Sequence, residues 1–153
     1  MNIDALFYEY HKPLISYAYA LTNDTLAAED IVTEVFINAW KVEKPIDKVR
    51  GYLFTSVRNK SFDYLKHHKI ETAFVNSYSH FEPEHYEIME EVITRLWLEI
   101  DKLPKQCRNV VNLYLQGISI RDIGKELNIS HKTVHSQKTV AIHLLRKLLK
   151  HGL

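Results

Sequence analysis

Between positions 132 and 138 the chain places Lys132, Thr133, His135, Ser136, Gln137 and Lys138 within two helical turns. Hydroxyl, imidazole and amide groups can exchange hydrogen bonds with the edges of paired bases, and flanking ammonium groups can neutralise phosphates. In this reading Lys132 and Lys138 face phosphates, while His135, Ser136 and Gln137 lie nearer base edges. From Asn128 onward there are five Lys/Arg, four His and no acidic residue. Exposed helices usually interleave both signs, so a one-sign helix suits a phosphate-bearing partner. A second set, Arg50, Tyr52, Arg58, Lys60, Tyr64 and Lys66, alternates cation with ring. Cations can track a backbone while rings and amides engage unstacked bases. A third set mixes Asp30, Glu34 and Asn38 with Ile37, Phe36 and Trp40, the composition of a protein-docking surface.

Nothing in the chain pairs a nucleophile with a base, so no catalytic role is expected. His80 and His85 lack the spacing of a helical zinc site. Cys107 is the single cysteine, which excludes an internal disulfide and a cysteine zinc site; it reads as a small apolar helix residue. No metal or cofactor is expected.

The base-reading set needs a rigid frame, and residues 117–149 supply one. Ser119 with Asp122 makes a capping-box-like start, and Ile120, Ile123 and Leu127 recur at helical spacing. Gly124 leaves room for a close helix crossing. Asn128 suits the left-handed turn, Ile129 plugs it, and Ser130 caps the next helix. Val134, Ala141, Leu145 and Leu148 form that helix's buried stripe. The pattern is a helix-turn-helix whose second helix enters a DNA major groove.

Upstream, Leu6, Tyr10, Leu14, Tyr17 and Leu21 trace a first helix in which Pro13 marks a start or kink. Asn23, Asp24 and Thr25 offer caps for a second, with Ala28, Ile31, Val32, Val35 and Ala39 inward. A polar loop over 41–49 precedes a third helix with Leu53, Val57 and Leu65 inward. Periodicity fails from 69 to 85, which reads as an exposed linker. A fourth helix over about 84–101 uses Ile88, Val92, Leu96 and Ile100. A fifth opens at Leu103-Pro104, buries Val110, Leu113 and Tyr114, and ends at Gly117.

The expected fold is therefore all-α: two small helical domains, 1–68 and 86–153, joined by the linker 69–85, the second domain a helix-turn-helix. Four Gly and four Pro in 153 residues fit helices better than a turn-rich β fold. A net charge of +1 conceals segregation: residues 1–40 carry −5, 41–69 carry +5, 70–95 carry −5 and 128–153 carry +5. Such blocks suit separate partners. The N-terminal residues lack a basic region followed by an apolar run, and no apolar stretch is long enough to span a bilayer, so a cytoplasmic protein without membrane insertion is expected.

AEDIVTEVFINAW, then YLFTSVRNKSFDYL, then LPKQCRNVVNLYLQGISIRDIGKELNISHKTVHSQ, together resemble the extracytoplasmic-function (ECF) sigma factors of bacterial RNA polymerase. The resemblance covers nearly the whole chain in the family's order and spacing. The short linker and the LPKQCR junction look most like the iron-uptake-type branch, which is often paired with a membrane-spanning anti-sigma protein. The resemblance implies three assignments. Residues 1–68 would be region 2, with Asp30, Glu34, Phe36 and Trp40 on the surface for core RNA polymerase. Residues 50–66 would read the −10 promoter element, through Arg50, Tyr52, Arg58, Asn59 and Lys60. Asn59 matches the asparagine near the family's flipped-out base. Residues 86–153 would be region 4, whose recognition helix reads the −35 element through Lys132, Thr133, His135, Ser136, Gln137 and Lys138. Thr33 stands where glutamine is usual, which alters one polar contact expected on the polymerase surface. His135 stands where arginine is common, so base preference does not transfer from relatives.

Two other functions use similar parts. A response-regulator-type helix-turn-helix protein would need a phospho-accepting α/β domain upstream, and residues 1–85 lack its β-branched runs ending in Asp. A purely protein-binding helical adaptor would leave the basic C-terminal helix without a purpose.

Overall fold

The computed structural model describes residues 2–68, 75, 78 and 80–151, with the side chains at 146 and 148–151 outside the description. Seven α-helices and no strands occur among the described residues. They are α1 (Ile3–Thr22), α2 (Thr25–Lys41), α3 (Val49–His67), α4 (Tyr86–Asp101), α5 (Lys105–Leu115), α6 (Ile120–Leu127) and α7 (His131–His151), with one 3-10 turn at Pro83–His85. The chain divides into two compact units, 1–91 and 92–153, and the division falls inside α4.

In the first unit α1, α2 and α3 pack on one another. Asn2 caps α1 by accepting the Ala5 N–H at 3.2 Å. The helix then runs unbroken through Pro13, which was expected to start or kink it. It ends at Asn23, left-handed with φ 55°, an amide residue that tolerates this region. Asp24 immediately caps α2, accepting the Ala27 N–H at 3.0 Å, and its other oxygen accepts the Tyr64 hydroxyl of α3 at 2.7 Å. Leu14, Tyr17 and Leu21 meet Ala28, Val32, Val35 and Ala39, and α3 closes the core with Leu53, Phe54, Val57 and Phe62. Each large apolar side chain so buried contributes about 1.5–3 kcal/mol. The inward residues expected for α2 and α3 are all buried.

The start of α3 is unusual. Lys48 occupies the N-cap in a left-handed conformation, φ 54°, and its side chain makes no capping bond. The missing acceptor comes from α4: Glu90 takes the Gly51 N–H at 2.7 Å and pairs with Arg50 at 3.0 Å. A carboxylate at a helix N-terminus also meets the favourable end of the macrodipole. Glycine at 51 is what permits the approach, since a Cβ there would overlap the Tyr86 carbonyl oxygen.

At the described positions of 69–85, His80, Glu82, Pro83 and Glu84 are exposed, as expected of a linker, and the departures are apolar. Val75 and Tyr78 are buried and Phe81 is half-buried; they join the first unit because apolar groups on α3 need covering. Positions 69–74, 76, 77 and 79 lie outside the described residues. In α4 the buried stripe is Met89, Val92, Ile93, Leu96 and Ile100, and Ile88 is exposed instead of inward.

The second unit packs α5, α6 and α7 together. Cys107, Val110, Val111, Tyr114 and Leu115 of α5 are buried, with Ile123, Val134, Ala141 and Leu145; Leu113 is half-buried and the Leu148 side chain lies outside the description. The expected signals are in place. Ser119 accepts the Asp122 N–H at 3.2 Å, and Asn128 is left-handed at φ 54°. Ser130 accepts the Thr133 N–H at 3.2 Å. At Gly124 a Cβ would sit only 3.1 Å from the Ile129 carbonyl oxygen. Among the described residues, no helix is long and apolar enough to cross a membrane.

Two outcomes test this packing. Gly51→Ala forces the α3 and α4 backbones apart, and overpacking of this kind costs about 1–3 kcal/mol; thermal unfolding should show the first unit losing stability, with Gly117→Ala, in the other unit, not reproducing that loss there. Asp24 is held below the ordinary carboxylate range by the Ala27 N–H and then by the Tyr64 hydroxyl. A depressed folded value means the cap is fully stabilising above the unfolded value of about 3.9 and is lost as pH falls through the lower folded one. Melting temperature measured against pH should therefore fall less steeply on the acid side in Asp24→Ala than in the parent.

Candidate nucleic-acid and docking surfaces

Helix α2 buries one side and leaves a continuous opposite face of Leu26, Asp30, Thr33, Ile37 and Trp40, each three or four residues after the last. Trp40 is 73 % exposed and Leu26 is 74 % exposed, a large apolar area beside the Asp30 carboxylate. Leu26 belongs to this face although sequence reading passed over it; its place four residues before Asp30 was the available signal. Phe36 departs from expectation. It is buried, its ring 5.1 Å from Phe7, with His11 stacked on Phe7 at 4.3 Å. Its helical position turns it toward α1, so it supports the face from beneath. Burial lowers the His11 pKa.

Glu34 lies at the border of this face and pairs with Lys60 of α3 at 3.0 Å. Residues expected on two different surfaces thus share one ion pair. Both ends are solvated, so the pair contributes little stability, of order 0–1 kcal/mol.

Along α3, Tyr52, Ser56, Asn59, Asp63 and Lys66 share one face. Tyr52 is half-buried edge-on to Tyr86 at 5.5 Å, its phenol pKa raised by burial, and its carbonyl accepts the Ser56 hydroxyl at 2.8 Å. Arg50 leans onto Glu90. Tyr64 is committed to Asp24. Lys66 donates to the Tyr78 carbonyl at 3.4 Å and stands 4.4 Å above the Tyr78 ring.

Arg58 corrects the sequence reading. It was expected on DNA, yet it is 1 % exposed. Its guanidinium lies 3.8 Å from the Phe81 ring and 5.0 Å from both Phe62 and Tyr78, and donates to Asn59 Oδ1 at 3.2 Å. Desolvation lowers its pKa, but an arginine stays charged in such a site. Asn59 itself is half-buried and engaged. Its Nδ2 donates to the Phe81 carbonyl at 2.9 Å, while its Oδ1 accepts the Phe81 N–H at 3.1 Å and the Tyr78 hydroxyl at 3.3 Å. Neither Tyr78 nor Phe81 was legible as part of this site. Loss of periodicity hid them.

In the second unit Lys132, His135, Ser136 and Thr139 form one exposed face of α7. The Ser136 hydroxyl donates to the Lys132 carbonyl at 3.0 Å and the Thr139 hydroxyl to that of His135 at 3.0 Å, so both oxygens keep acceptor capacity toward a ligand. Thr139 joins the set on spacing alone. Thr133 and Gln137 are half-buried on the flank, Thr133 sharing a hydrogen bond with Ser130 at 3.0 Å. Lys138 takes another side, its ammonium 5.7 Å from the Tyr114 ring. No cluster able to hold a metal ion occurs among the described residues.

An exposed helix of polar and cationic groups, set by a tight turn on two supporting helices, is the arrangement of helix-turn-helix units. Residues 6–70 match the family described as Sigma-70 region 2, and residues 93–142 match Sigma-70, region 4. The chain is 28% identical over 162 aligned positions to the ECF RNA polymerase sigma factor SigM of Bacillus subtilis (strain 168), covering 99% of this chain and 98% of that protein. It is likewise 28% identical over 155 positions to the ECF RNA polymerase sigma factor SigL of Mycobacterium tuberculosis, covering 95% and 88%. RNA polymerase sigma factor SigZ of Bacillus subtilis (strain 168) is 26% identical over 157 positions, covering 98% and 88%. Both regions occur in order on an all-helical frame, and relatives align along nearly its full length. The chain therefore belongs to the sigma-70 family as an ECF-type RNA polymerase sigma factor, and its work is promoter recognition.

Proposed function

We propose that the two units divide promoter recognition between them. The first docks on core RNA polymerase through α2 and engages the −10 element through α3; the second reads the −35 element with α7. The observation that carries this reading is the exposed face of α7, where Lys132, His135, Ser136 and Thr139 stand on a helix without a single acidic residue. Asp30, Glu34 and Trp40 are the proposed polymerase contacts, with Phe36 supporting them. Tyr52, Asn59 and Lys60 are the proposed −10 contacts, and Arg50 positions the start of α3 through Glu90. Polymerisation belongs to the partner enzyme. The short 69–85 segment and the LPKQCR junction support placement in the iron-uptake-type branch. On that placement the regulator is an anti-sigma protein, membrane-spanning in that branch, acting on a cytoplasmic sigma factor. Transcription by core polymerase plus this protein on a genomic library, with start sites mapped, tests the whole reading: aligned upstream sequences should display two elements.

Loss of a large exposed aromatic at the centre of an interface typically costs 2 kcal/mol or more, about thirtyfold in affinity. Trp40→Ala and Glu34→Lys should each weaken binding to core polymerase in titrations while helix content stays constant. Full affinity in both variants would remove α2 from the interface.

On the recognition helix, Lys132→Ala should weaken all promoters alike and reduce the salt slope by about one unit, the signature of one lost phosphate contact. Substitutions at His135 or Ser136 should instead change which −35 sequence is preferred in competition binding. The reverse assignment of effects would mean the helix lies in the groove in another orientation.

A further inference from the structure

Asn59 meets Phe81 through two antiparallel hydrogen bonds: the amide N–H to the Phe81 carbonyl at 2.9 Å, and the Phe81 N–H to the amide oxygen at 3.1 Å. A donor and an acceptor side by side are also what a nucleobase edge offers an asparagine. The backbone N–H and carbonyl of Phe81 therefore satisfy the amide in the way a base edge would. Rings complete the likeness. Tyr78 stacks on Phe62 with centroids 4.5 Å apart and planes 20° apart, and its hydroxyl donates to the Asn59 backbone carbonyl at 3.2 Å. Lys66, a cation suited to a phosphate, is held over the same ring and bonded to the Tyr78 carbonyl. His80 Nε2 lies 3.0 Å from Asp63 Oδ1, a further tether on the same face of α3.

We propose that the Tyr78–Phe81 segment is an intramolecular competitor of single-stranded DNA: it occupies Asn59, Lys66 and the Phe62 stacking surface in the free chain, and must withdraw before an unpaired base can bind there. This rests on the assignment of Asn59 to the −10 contacts. The two occupants need the same acceptor, Asn59 Oδ1, which already receives Phe81 and Arg58 and shares the single Tyr78 hydroxyl proton with the Asn59 carbonyl. They are mutually exclusive, so the apparent affinity of the free chain for single-stranded DNA is its intrinsic affinity reduced by the open fraction. The buried Arg58 sets the strength of the closed state. Withdrawal of Tyr78 and Phe81 strips two of the three rings around its guanidinium, a cost that an incoming nucleobase can repay by stacking on the cation.

Fluorescence anisotropy of the full-length chain with a short random-sequence single-stranded DNA tests the competition. Tyr78→Ala and Phe81→Ala should each tighten binding, about tenfold if the segment is closed nine-tenths of the time. Tyr78→Phe, which keeps the stack and loses only the hydroxyl, should give a smaller gain with the fold undisturbed. Adding Asn59→Ala to either alanine variant should abolish the gain. Amide hydrogen exchange on the unmodified chain gives an independent reading: the Phe81 N–H should be protected in the free protein and lose protection when the DNA saturates it. Equal or weaker binding by Tyr78→Ala and Tyr78→Phe, with the Phe81 amide still protected in the DNA complex, overturns the competition and makes the segment a fixed wall of the site. Failure of the functional reading shows elsewhere, as absence of initiation by core polymerase with the unmodified chain, whatever the oligonucleotide affinities.

Discussion

A guanidinium removed from water needs compensation for its lost hydration, and at Arg58 that need organises the first unit. The charge sits in the middle of α3, where helical spacing turns it away from solvent. Three rings and the Asn59 amide oxygen surround it, and two of the rings, Tyr78 and Phe81, come from a segment without helical pattern. Burying the cation, together with the apolar groups of α3, thus draws Tyr78 and Phe81 onto that helix. Once there, their backbone groups need partners of their own, and Asn59 is the side chain within reach. An electrostatic requirement at one residue fixes the state of its neighbour.

The other end of α3 repeats the logic with the opposite sign. The helix starts from a residue that cannot cap it, and the carboxylate of Glu90 supplies the acceptor from α4. The same carboxylate neutralises Arg50. Cations at 50, 58 and 60 are each committed inside the first unit, to Glu90, to the ring cage and to Glu34. A basic stretch in the sequence becomes a far less basic surface in the fold. Lys60 also ties the polar edge of the α2 face to α3.

The described residues of the second unit are arranged more locally. Helix α7 is held by backbone geometry and small residues: the Ser119 and Ser130 caps, the left-handed Asn128 and the close approach of the Ile129 carbonyl to Gly124. The polar groups of α7 are left facing outward, with Lys132, His135, Ser136 and Thr139 aligned by period alone. Lys138 shows the limit of this simplicity, turning to the Tyr114 ring of α5.

The division between what was legible and what was not follows from range. Features set by local backbone and helical period were readable by eye: the all-α class, the buried stripes of α2 and α3, both caps of the helix-turn-helix, and the exposed faces holding Trp40 and His135. Each depends on residues within a turn or two of one another, so spacing encodes it. Motif order carried the family, because that signal is sequential by nature. Partners separated by twenty to forty positions were beyond such reading. Arg58 looked like a DNA contact until Tyr78 and Phe81 folded over it, and Phe36 looked exposed until Phe7 covered it. Nothing local marks Glu90 as the cap of α3, or Phe81 as the partner of Asn59. The sequence alone determined which side chains could read a base. Only the tertiary structure decided which of them are already holding something else, because burial and hydrogen bonding are settled by neighbours in space.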